Sequence, residues 1–212
     1  MSSQVRGGTR WKRFALVMVP SVLATAAVGV GLAQGALAAS FSVSGQSFKV
    51  SADYLDGHGF SQYGGIDAGY AEMKGDKKTL HPVAISSFKT AEITNMCQSV
   101  VTPNIPLLGS VSLQLKAGGG KTPVSAENLY IDVADLSADA EFTNIDIGVA
   151  AKDATKGPAI KSGENVNENG FAQQADRAQL RNVKQTAWAT TAGTFKLSGL
   201  SMKLYNGVKE CY

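Results

Sequence analysis

Apolar and polar residues alternate with a period of two in several stretches of this chain, the pattern of strands that bury one face. Val111, Leu113 and Leu115 alternate with Ser112 and Gln114. The glycine-rich segment Ala117-Gly118-Gly119-Gly120-Lys121 then turns the chain, so a hairpin with residues 124–133 is expected. Phe195 and Leu197, then Leu200, Met202 and Leu204, alternate on either side of Ser198-Gly199, where a bulge is expected. Two stretches break the alternation. Residues 53–78 are rich in Gly, Asp and Tyr, and residues 152–169 in Gly, Lys, Glu and Asn around Pro158. Both read as long exposed loops, where a β scaffold usually carries its binding residues. Helix is minor and is expected over residues 170–179. The fold predicted is mostly β, a sandwich or a stacked or curved strand-repeat architecture with long loops.

One short pattern recurs. Ala91-Glu92-Ile93-Thr94-Asn95-Met96, Ala140-Glu141-Phe142-Thr143-Asn144-Ile145 and Ala178-Gln179-Leu180-Arg181-Asn182-Val183 share Ala, Glu or Gln, an apolar residue, any residue, Asn and a second apolar residue. Ala126-Glu127-Asn128-Leu129 is a shorter echo. In a strand the Ala and the first apolar residue face one side, and the Asn then marks a bend or bulge. The intervals of 49 (140 − 91) and 38 (178 − 140) are too uneven for a strict solenoid. Repeated strand units and chance similarity among alanine-rich strands both fit.

The first forty residues follow different rules. Arg6, Arg10, Lys12 and Arg13 precede an apolar run over residues 14–32, and no charge falls between Arg13 and Lys49. Small residues Ala36 and Ala38 follow, which is the layout of a secretory signal peptide cut between Ala38 and Ala39. A retained membrane anchor is the competing outcome, because the run approaches the ~20 residues that span a bilayer. Either way the basic cluster places the body outside the cytoplasm. The expected organisation is a signal helix over 1–38 and one β-rich extracytoplasmic domain over 39–212, secreted or held at the cell envelope.

Removal of residues 1–38 changes the charge picture. Four basic and no acidic residues leave, so 20 Lys and Arg become 16 against 17 Asp and Glu, and the balance moves from +3 to about −1. The basic pI therefore belongs to the leader, and nucleic acid is not expected as a partner. The remaining 174 residues (212 − 38) suffice for one core without metals or many disulfides. Cys97 and Cys211 are the two cysteines, and in an exported chain a disulfide between them is the expectation. Closing so long a loop is worth roughly 4 to 5 kcal/mol in the chain-entropy picture.

Candidate chemistry is thin. A Gly-x-Ser-x-Gly elbow is absent; Gly59-Phe60-Ser61-Gln62-Tyr63-Gly64 is one residue too long, beside Asp56 and His58. The weak catalytic candidates are Ser61 as nucleophile with His58 or His81 as base. Ser86-Ser87-Phe88-Lys89 matches Ser-x-x-Lys without the partner motifs of that chemistry, and Gly120-Lys121-Thr122 lacks the leading glycine of a phosphate loop. Asn165, Asn167, Asn169 and Asp176 fall at calcium-loop spacing, but asparagines replace the early carboxylates that calcium affinity needs. No cofactor is expected.

Several strings are more specific: Val5-Arg6-Gly7-Gly8-Thr9-Arg10-Trp11-Lys12-Arg13, Ala39-Ser40-Phe41-Ser42-Val43-Ser44-Gly45, Ile93-Thr94-Asn95-Met96-Cys97-Gln98-Ser99, Asn144-Ile145-Asp146-Ile147-Gly148-Val149-Ala150-Ala151-Lys152-Asp153, Gln185-Thr186-Ala187-Trp188-Ala189 and Lys209-Glu210-Cys211-Tyr212. On these the chain resembles, almost end to end, an actinobacterial family of small secreted proteins of unknown function whose members often carry an automatic cholesterol esterase label. The resemblance brings no established catalytic residue. The label implies a carboxylic ester hydrolase acting on lipid or sterol, whereas the residues point to a non-catalytic β protein. Such a protein would present a sheet surface or shallow apolar groove to a lipid, an envelope membrane protein or copies of itself.

Overall fold

The computed structural model describes residues 44–70 and 78–212. The expected leader, with its expected cut between Ala38 and Ala39, lies outside the described residues. The protein is mostly β. Nine strands among the described residues form one antiparallel sheet: β1 (Phe48–Tyr70), β2 (Lys78–Thr94), β3 (Met96–Ile105), β4 (Gly109–Ala117), β5 (Val124–Thr143), β6 (Asp146–Ala150), β7 (Phe171–Thr191), β8 (Thr194–Lys196) and β9 (Ser201–Asn206). The strand order is β6-β7-β5-β2-β1-β3-β4-β9, with β8 on β5 and a further pairing of β7 with β1. That pairing, Phe48 to Ala52 against Ala187 to Val183, closes β1, β2, β5 and β7 into a ring around the main core.

The recurrent asparagines make this curvature. Asn95, Asn128, Asn144 and Asn182 all sit at positive φ, between 49° and 54°. In a regular strand, residues three apart face opposite sides. A left-handed residue inserted between them restores the same side, and Asn tolerates that conformation better than most residues. Ile93 and Met96, Ala126 and Leu129, and Leu180 and Val183 accordingly all point into one core. Phe142 and Ile145 pack against it. Gly59, at φ 63°, stands level with Lys89 and Asn128, so β1, β2 and β5 shift together along one row.

Four sequence expectations are corrected. Residues 53–70 are strand, not loop: the glycines clear space for neighbours, since a Cβ on Gly57 would collide with the Phe88 ring and one on Gly65 with Ile85 Cδ1. Residues 171–179 are strand, not helix; pairing with β5 and β6 overrides the helical propensity of the alanine-rich segment. Residues 111–115 do not form a hairpin with 124–133, because β4 pairs with β3 and β9 while β5 lies between β2 and β7. Ser198-Gly199 is not a bulge but the turn that carries the chain from β8, on β5, to β9, on β4.

Two covering segments complete the body. The stretch after the 3-10 turn Ala151–Asp153 is free of strand, as its composition predicts, but it is a strap rather than a free loop. Val166 bridges to Gly65, Ile66 N donates to Asn165 O, and Tyr130 OH donates to Ala159 O. Beneath it lies a second apolar cluster that includes Tyr63, Val83, Ile85 and Ala172. The C-terminal tail crosses the polar face of β3 and β4. Ser112 Oγ donates to Gly207 O, Lys209 N donates to Ser112 Oγ, and Cys211 N donates to Ser99 Oγ. The Cys97–Cys211 disulfide pins its end.

Candidate functional site

An apolar cleft of about 190 Å³ opens inside the closed ring. Its floor is Leu55, Phe60, Phe88, Ile131, Leu180 and Val183, and Leu136 and Ala140 stand exposed along one wall. Phe60 anchors it, with ring centroids 5.3 Å from Phe88 and 5.4 Å from Phe142, tilted as aromatic pairs prefer. One side is polar: Gln173 Nε2 donates to Gln62 Oε1 at 2.6 Å and Gln62 Nε2 donates to Ser86 Oγ at 2.8 Å, with Gln185 nearby. An apolar cavity of ~150 Å³ is enough to hold a benzene-sized guest and stay dry. This cleft has the capacity for a short apolar segment and offers amide groups to a polar end.

The seam between β1 and β7 borders the cleft. Backbone bonds join the two strands only from Phe48 to Ala52. Beyond that, side chains bridge them: Gln179 to the Tyr54 hydroxyl, Arg177 to Asp56 through two bonds of 2.7 and 2.6 Å, and Gln173 to Gln62. The Arg177 guanidinium holds the Asp56 carboxyl below its usual range.

The residues singled out for chemistry each have partners of their own. Ser61 is fully buried, shares a 2.7 Å hydrogen bond with Ser87 Oγ, and is roofed by Gly157 of the strap. His58 is exposed, 3.8 Å from Asp56. His81 stacks on Trp188 at 3.7 Å and bonds Thr79. Asp176 accepts from Asn144 Nδ2 at 2.8 Å in β7, while Asn167 Oδ1 accepts from the Asn169 backbone and Asn165 O serves the strap. Among the described residues no group of three or more His, Cys, Asp or Glu is placed to hold a metal ion.

Sequence reasoning missed a buried acid. Asp132 is 6 % exposed and its Oδ1 has no hydrogen-bond partner; burial, then the Asp67 charge, push its pKa up to about 7. Asp67 is raised by burial as well. Tyr63 and Tyr130, Lys161 and Glu164 of the strap, and His81 on β2 complete its surroundings. The alternation of Tyr130 and Asp132 in a strand is the one hint of it in the sequence.

Residues 44–212 match the profile of a family of unknown function, DUF6230. The chain belongs to this family. Neither a curated protein nor a solved structure matches it. The DUF6230 match covers every described strand, so the ring, the cleft and the strap all fall within the family's own region.

Proposed function

We propose that this DUF6230 member is an exported, non-catalytic β protein that holds a short acyl or other apolar segment in the cleft of its β1-β2-β5-β7 ring. The observation that carries the reading is the cleft itself, an aromatic and aliphatic floor with one wall of glutamines. A buried methylene is worth about 0.8 kcal/mol, so even a few carbons give measurable binding. The Gln173, Gln62 and Ser86 chain would meet a carbonyl or hydroxyl at the ligand's polar end.

The test is displacement of an environment-sensitive fatty acid probe from the full chain, together with mass spectrometry of lipid carried through purification. Ala138→Phe, on the cleft wall, should abolish probe binding while leaving the circular dichroism spectrum unchanged. Equal probe binding by wild type and Ala138→Phe would refute the cleft as the site. Ester hydrolysis that tracks the protein and is lost in Ser61→Ala would replace the reading with the esterase one.

A further inference from the structure

The β3, β4 and β9 strands are built the reverse way from the ring. Their buried face is polar, with Ser99, Ser112 and Gln114 under the C-terminal tail. Their other face carries cross-strand rows such as Leu113 with Leu204 and Leu115 with Met202, and both β9 residues are exposed. The β3–β4 turn is apolar as well. Leu107 is fully exposed and held at φ 70°, a conformation that costs a bulky residue, and Leu108 beside it is 58 % exposed. Gly207 N bonds Ser110 O, which brings exposed Val208 to the same end.

Charge is segregated to match. The sequence has no Asp or Glu between Glu92 and Glu127, and none between Asp176 and Glu210. These stretches hold β3, β4, β8 and β9 and carry Lys116, Lys196, Lys203 and Lys209, although the chain without its leader is close to neutral. Glu210 itself is taken by Lys49 at 2.9 Å. Lys209 lies over the Tyr205 ring at 5.1 Å, a pairing suited to a membrane–water boundary. The chain also enters the body from this end: Phe48 pairs with Val100, and Thr102 Oγ1 donates to Gln46 Oε1, so residues preceding β1 run beside β3 toward the Leu107 turn.

We propose that the β3–β4 end, with the outer face of β9, docks on an anionic lipid bilayer, Leu107 and Leu108 inserting while Lys203 and Lys209 meet the headgroups. An exposed apolar tip with Lys203 and Lys209 on its β9 side and no carboxylate in β3, β4 or β9 fits such a surface better than it fits a second copy, which would oppose like charges. This is separate from the cleft, and either reading can fail without the other.

The test places tryptophan at two positions of the full chain in vesicles of phosphatidylcholine with phosphatidylglycerol. Leu107→Trp should shift to the blue and be quenched by brominated lipid. Gly120→Trp, an open site at the opposite end of β4, should not be. Because Trp11 and Trp188 are present in every sample, the readout is the difference from wild type, which removes any signal from insertion of residues 14–32. Leu107→Asp with Leu108→Asp should weaken partition of the leader-free protein by about tenfold or more, and added salt should weaken it further. Absence of quenching at 107, equal quenching at both positions, or a blue shift that depends on protein concentration without lipid would each overturn the proposal, the last in favour of self-association.

Discussion

Asn95 donates its side-chain amide to Asp53 Oδ2 at 2.9 Å, from β2's end to β1, while its own backbone stands at φ 52°. The arrangement recurs between β5 and β7, where Asn144 donates to Asp176 and Asn182 to Asp139, each at 2.8 Å. Each of these three bends thus has both a residue that accepts the left-handed conformation and an aspartate that fixes its side chain. Asn95→Ala should lose both and cost about 1–2 kcal/mol, the usual penalty for an L-residue with a Cβ in that region. Asn95→Gly keeps the backbone freedom and should cost less. Urea unfolding of the two variants against wild type checks the order; an Ala variant as stable as the Gly variant would mean the bend is not left-handed in solution.

These bends were legible and the strands between them less so. The repeat marked each Asn because side-chain chemistry and local backbone coincide there. Two cysteines likewise left one intramolecular pairing, and the 97–211 disulfide is present. Residues 53–70 misled because glycine serves two purposes: Gly57 and Gly65 look like turn formers but make room for Phe88 and Ile85 on the neighbouring strand, a contact 20 to 31 residues away in sequence (85 − 65 and 88 − 57). Ala172, Ala175 and Ala178 recur every three residues and imitate a helix stripe, yet all three are fully buried in β7. The cleft could not be read at all, because its floor gathers residues of β1, β2, β5 and β7 that only ring closure brings together.

Asp132 should give the protein a stability that falls as pH rises. Its folded-state pKa of about 7 lies above the ordinary value of 3.8, so between those two pH values the folded protein keeps a proton that the unfolded chain has released. Stability from this group is whole below about pH 4, declines through the window and is fully lost above about pH 7. Asp67, raised by burial, adds a slope of the same sign, while the Lys161 charge on the strap opposes both. Asp132→Asn keeps the shape without the charge. It should flatten the decline between pH 4 and pH 7 and raise the urea midpoint at neutral pH, and an unchanged pH profile would show that the carboxylate is solvated in solution.

Gly157 decides whether the strap can lie on β1. A Cβ there would collide with Ser61 Oγ and Cβ and the Ser61 backbone nitrogen, and backbone cannot move aside as a flexible side chain can. The neighbouring anchors are local and polar: Gln174 Oε1 accepts from the backbone of both Thr155 and Lys156, at 2.7 and 2.9 Å. Gly157→Ala must therefore lift the strap off the Ser61–Ser87 pair or strain those two bonds. Overpacking of this kind costs about 1–3 kcal/mol. Because the strap meets the ring strands away from the Phe48–Ala52 pairing with β7 that closes the ring, the loss should be local. Limited proteolysis should cut the variant within residues 152–169 well before wild type, while Phe60, Phe88 and Phe142 keep their near-ultraviolet signal. Global unfolding without prior cleavage of the strap would instead mean that the strap and the ring fold as one unit.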